Sequence, residues 1–139
     1  MKRSEEMEKL RTQIKASGGP DRFIDEVEEK QIFDKGRELG IKASTVEAHL
    51  NQLCTDNKWT REKEIIEDIN DQLIEATKDD GAIDQKEFEH CINYAILLNM
   101  PRKRAMQLSV QFVMKEGLKI KKKWLGKDWF EPLKQKYAN

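Results

Sequence analysis

Three carboxylates in the stretch "DDGAIDQKEF", Asp80, Asp84 and Glu87, are the residues of this chain best suited by type and spacing to do chemistry. They surround a glycine turn, and hard oxygen donors around such a turn are what a divalent cation takes. The nearest template is an EF-hand loop. With Gly81 at the loop's glycine position, Glu87 falls on its final ligand, but Ala76 and Lys78 occupy the first and third ligand positions, where calcium needs oxygen. The competing role for Asp84 and Glu87 is a capping box, in which each side chain serves a backbone N–H at a helix start.

Other chemistry-bearing residues are scattered. His49 and His90 are the only histidines, and neither belongs to an H-E-x-x-H zinc pattern. Cys91 follows His90, but adjacent helix residues point apart and make no nucleophile–base pair. No G-x-S-x-G elbow, phosphate loop or dinucleotide fingerprint occurs. The expectation is a protein that is not an enzyme and takes no cofactor. Cys54 and Cys91 fall at apolar helix positions and are expected to be buried free thiols, which suits a reducing cytoplasm. The start "MKRSEEMEKL" lacks the apolar core of a secretory signal. The longest apolar run, "YAILL", is far short of the roughly 20 residues that cross a bilayer.

Charge supplies two candidate docking faces. The 139 residues sum to zero, yet residues 1–100 hold 15 Lys/Arg and 23 Asp/Glu, and residues 101–139 hold 11 and 3. The acidic face is the row Glu64, Glu67, Asp68, Asp71 and Glu75, spaced to share one side of a helix. The basic segment, 102–127, carries Arg102, Lys103, Arg104, Lys119, Lys121, Lys122, Lys123 and Lys127, with Trp124 among the lysines. Such a segment attracts a partner or a polyanion, nucleic acid or an acidic surface, weakly and with strong salt dependence. Alternatively, the two charged parts neutralise each other.

The elements that hold these residues are helices. Ser4 is expected to cap a first helix striped by Met7, Leu10 and Ile14. "ASGGPDRF" breaks it. Asp25 and Glu28 predict a capping box for a second helix running to Leu39, with Gly40 as its left-handed stop. Ser44 and Glu47 predict another box for a third helix, and Thr60 a cap for a fourth, whose inner face is Ile65, Ile66, Ile69, Leu73 and Ala76. Asp84 and Glu87 open a fifth, with Ile83 and Phe88 as a hydrophobic staple. Pro101 begins a sixth that ends at Gly117. "LKIKKKWL" predicts a short seventh helix, and Asp128 with Glu131 a last one. No segment alternates at period two.

Sliding the chain on itself by 59 positions lays Asp21 on Asp80, Ile24 on Ile83, Asp25 on Asp84, Glu28 on Glu87 and Leu39 on Leu98. The fold class expected is therefore all-α: a single domain, 1–139, in a helical bundle of about six to eight helices. Two repeated helix-turn-helix hairpins, about 20–54 and 79–113, carry a basic aromatic extension, 118–139.

Two resemblances attach to these residues. "DDGAIDQKEFEHCINYAILLNM" resembles the "ADGxIDxxE…LG" pattern of TerB-like helical domains, a tellurite-resistance-type family. That resemblance implies an adaptor or stress-response module, with Asp80, Asp84 and Glu87 as metal ligands. "LGIKASTVEAHL" resembles the recognition region of LuxR-type regulators, within a helix-turn-helix over residues 36–53. It implies DNA contacts from Thr45, Asn51 and Gln52. Against it, no cation lies between Lys42 and Lys58, and the preceding helix is acidic. The function expected is a protein-interaction or regulatory adaptor. A DNA-binding regulator and a metal-binding stress-response protein are the alternatives.

Overall fold

The computed structural model describes residues 2–122 and 126–138, without the side chains of Lys2 and Arg3. Among these residues there are seven helices: α1 Lys2–Gly18, α2 Glu26–Glu38, α3 Ala43–Asn57, α4 Glu62–Thr77, α5 Gln85–Leu97, α6 Arg102–Lys115 and α7 Glu131–Tyr137. Four two-residue strands, β1 Phe23–Ile24, β2 Thr60–Arg61, β3 Ala82–Ile83 and β4 Lys119–Ile120, tie them together. The protein is all-α, and no helix among the described residues is long and apolar enough to cross a membrane.

Where one domain is expected, the chain resolves into two compact units, Met1–Lys63 and Glu64–Asn139, with the division in the first turn of α4. The 59-residue offset carries every element of the first unit onto one of the second: α1 onto α4, β1 onto β3, α2 onto α5, α3 onto α6 and β2 onto β4. The repeat thus extends beyond the hairpins to a preceding helix and a closing strand. In each copy a parallel bridge draws the turn before the hairpin onto the residues after it: Phe23 pairs with Thr60, and Ala82 with Lys119. Parallel strands need a crossover, and the helical hairpin supplies it.

Local signals explain most helix starts and stops. Asp25 accepts from the Glu28 amide at 2.7 Å while Glu28 accepts from that of Asp25 at 3.1 Å, a complete capping box. Asp84 and Glu87 repeat it at 2.8 and 3.0 Å. Left-handed residues recur at three registers, Arg22 with Gly81, Gly40 with Asn99, and Lys58 with Gly117. Only glycine adopts that conformation without cost, so in each pair one copy accepts strain to keep the turn.

Four sequence expectations are corrected. Ser4 lies inside α1, because the helix already runs from Lys2. Ser44 caps nothing: the N-cap of α3 is Lys42 with no side-chain bond, because Glu47, the other half of the expected box, bonds Arg61 instead. Thr60 sits in β2, its amide bonded to the Arg22 carbonyl at 3.0 Å, and α4 starts at Glu62. The expected seventh helix begins instead as β4; its residues 123–125 lie outside the described part.

The first core is built of Leu10, Ile14, Ile24, Ile32, Ile41, Val46, Leu50, Leu53 and Cys54. Gly36 is a close approach within it, where a Cβ would lie 2.4 Å from Val46 Cγ2. The second unit has Ala95 and Ala105 at these registers, both fully buried. Glycine plus valine in one copy and two alanines in the other hold nearly the same volume, as a close-packed interior requires. Gly36→Ala alone should therefore cost about 1–3 kcal/mol, and adding Val46→Ala should recover most of it. Chemical denaturation of both variants checks this; a double variant weaker than the single would break the volume argument.

Candidate functional site

Two arrangements of polar side chains stand out, one in each unit. In the first, Arg61 is 1% exposed. β2 carries it inward beside Ile24, so a cation sits where the sheet register would place an apolar residue. Its guanidinium donates to both carboxylate oxygens of Glu29 on α2, to Glu47 on α3 at 2.6 and 3.1 Å, and to Asn51 Oδ1 at 2.7 Å. Burial alone would weaken the guanidinium's hold on its proton, but the bonds to Glu47 and Glu29 outweigh it and the pKa is raised. The same Arg61 bond holds the Glu47 carboxyl below its ordinary value. Glu62 beside it, also 1% exposed, accepts from the Glu26 amide at 2.6 Å, at the start of α2. In the second unit the counterparts of Arg61, Glu29, Glu47 and Asn51 are Ile120, Phe88, Met106 and Val110. There the C-terminal segment lies over them: Trp129 and Phe130 stack on Phe88 at ring separations of 5.4 and 6.2 Å.

The second arrangement is a groove. In the first unit it runs along α1, lined by Glu5, Glu8, Lys9, Thr12, Gln13 and Ala16, with Lys35 from α2. In the second unit it lies between α4 and α5, lined by Asp71, Gln72, Glu75 and Ala76 on one side and Lys86, Glu87, His90 and Cys91 on the other. The walls are largely carbon, made from the methylene stems of these polar side chains. The glutamine is common to both, but Lys9, Thr12 and Ala16 become Asp68, Asp71 and Glu75, and Lys35 becomes Tyr94. The Tyr94 hydroxyl donates to Asp68 at 2.8 Å, which raises the phenol's pKa.

The expected metal ligands are otherwise engaged. Asp84 and Glu87 bond each other's backbone amides, and Asp80 accepts from the Ala82 amide at 3.0 Å and from Lys121 Nζ at 2.7 Å. The Lys121 ammonium lowers the Asp80 pKa. Among the described residues no group of three or more His, Cys, Asp or Glu is arranged to hold a metal ion. Neither cysteine is in a disulfide, both are buried, and burial pushes the Cys91 thiol up to about 11, away from a reactive thiolate.

Of the expected DNA contacts, Asn51 is exposed but its oxygen is taken by Arg61, Gln52 donates to Asp56 at 2.9 Å, and Thr45 is half-buried. The basic segment is spread over α6, β4 and the residues after it. Arg102 and Lys103 are exposed in the first turn of α6, and Arg104 is half-buried there. Lys119 is in β4, Lys121 is paired with Asp80, and Lys122 and Lys127 are exposed. Lys123 and Trp124 lie outside the described residues. The charge split itself falls within the second unit. Residues 64–100 hold 2 Lys/Arg and 10 Asp/Glu against 11 and 3 in 101–139, and residues 1–63 hold 13 of each. The bridge of β3 with β4 and the Lys121–Asp80 pair join its acidic and basic parts.

Neither a protein-family model, a curated protein nor a solved structure matches the chain.

Proposed function

We propose that this chain is a non-enzymatic protein-interaction module, an adaptor or regulatory domain built from two copies of one helical unit, working in the cytoplasm. The observation that carries the reading is the duplicated groove. The groove beside α4 shares three registers with the one along α1, Thr12 with Asp71, Gln13 with Gln72 and Ala16 with Glu75, while the charge along it runs from mixed on α1 to acidic on α4. A surface that diverges over a repeated order of elements is where partner choice is written. Asp84 and Glu87 are engaged in a capping box and Asp80 in an ion pair with Lys121, which supports the non-enzymatic part. Two buried cysteines outside any disulfide support a reducing compartment. The resemblance to TerB-like adaptor modules agrees with the reading. The DNA-reading alternative requires Asn51 to release the buried Arg61.

A selection of displayed helical peptides against the whole chain tests this. Enriched peptides should shift backbone amides of residues 71–76 and 86–91. Failure to enrich any peptide, or ligands that map only outside the two grooves, would remove the module reading.

A further inference from the structure

We infer that the α4–α5 groove of the second unit binds a basic amphipathic helix from a partner protein, an inference that rests on the interaction-module reading above. A groove between two helices with carbon walls accepts the apolar stripe of a third helix. Ala76, the Cys91 side chain and the stems of Gln72 and Lys86 supply those walls.

Charge decides what flanks that stripe. Glu64, Glu67, Asp71 and Glu75 are exposed along α4, with Asp68 half-buried among them. The cations near this row are few: Lys78 pairs with Glu75 at 2.7 Å, and Lys86 stands on the opposite wall. Such a face repels nucleic acid and anionic lipid, and draws a helix whose apolar residues are bordered by Lys or Arg. The Tyr94–Asp68 bond closes one end and sets the register in which the helix enters.

The first unit is the internal control. At the registers of Asp68, Asp71 and Glu75 its groove carries Lys9, Thr12 and Ala16 while keeping Glu5 and Glu8, so the same helix meets a face of mixed charge.

The test is fluorescence anisotropy of a labelled, helical Leu/Lys peptide with the full chain at physiological salt. An isomer of equal charge whose leucines are not on one face serves as the comparison. The variant Asp71→Thr with Glu75→Ala installs the first unit's residues at two exposed positions, and circular dichroism verifies its folding. The amphipathic peptide should bind more tightly than its isomer, and the variant should weaken it about tenfold, as the loss of two exposed ion contacts allows. Equal binding of the two peptides, or an affinity unchanged in the variant, overturns the proposal. So does self-association of the chain that the variant abolishes, which would put a second copy in the groove. If display enriches groove ligands that are not basic, the module reading stands and this occupant falls.

Discussion

Arg61→Ala should destabilise the first unit by about 3–5 kcal/mol, the usual cost of removing one partner from a buried ion cluster. The lower end is expected, because the side chain of Glu47 is 36% exposed and regains water when the guanidinium is gone. Glu29, at 16%, regains less and carries most of the loss. Amide hydrogen exchange resolves the effect by unit: protection should fall across α2 and α3 and hold in α5 and α6. Installing the second unit's residues, Arg61→Ile with Glu29→Phe and Glu47→Met, should restore much of the stability, since apolar replacement of a whole buried cluster is often neutral.

The pH dependence has a definite sign. Arg61 holds the Glu47 pKa below the ordinary 4.5, so its contribution is complete above that value and is lost as pH falls through the depressed folded pKa. Glu28, raised by burial in its capping box, works in the opposite sense. Removing Arg61 should therefore flatten the loss of first-unit stability below about pH 4.5. An unchanged acid slope in Arg61→Ala would separate the cluster from acid unfolding.

Trp129→Ala should cost the second unit about 3–5 kcal/mol, the range for deleting a buried aromatic side chain. Trp129 is 8% and Phe130 5% exposed, and their rings meet at 5.8 Å, edge to face. The indole also donates to the Lys121 carbonyl at 2.8 Å, which ties the C-terminal segment to the residue after β4. α7 packs against α6 without burying a residue fully, so these two rings are the buried anchor at its start. Trp129→Phe should keep the stacking and lose about 1 kcal/mol for the missing hydrogen bond. Chemical denaturation measures the cost, and amide exchange over residues 131–137 follows α7. Retained protection there in Trp129→Ala would mean that α7 is held by other contacts.

The helices were legible because their signals are local. Asp25 with Glu28 and Asp84 with Glu87 are three residues apart, and Gly40 and Gly117 mark their stops in one letter. The Arg61 cluster was not legible, because its partners lie 32, 14 and 10 residues away and a buried arginine reads like any surface one. It also misled the capping argument, since Glu47 had to choose between Ser44 and Arg61. Two-residue bridges are too short to show a period, so Thr60 reads as a helix cap and "LKIKKKWL" as a helix. The acidic row was visible as spacing; the groove beside it was not, because its walls are the stems of residues that read as polar.

The parallel bridges have an entropic meaning as well. Phe23 meets Thr60, and Ala82 meets Lys119, each across 37 residues. Closing a loop of that length costs about 3 kcal/mol beyond the constant term, and doubling it would add only about 0.6. Each bridge is closed by a hairpin whose contacts are local and form early. The backbone of each unit is thus closed off within its own stretch of sequence, and a copy closed in this way is free to exchange a buried ion cluster for aromatic packing, or a neutral groove for an acidic one, while its order of elements stays as it was.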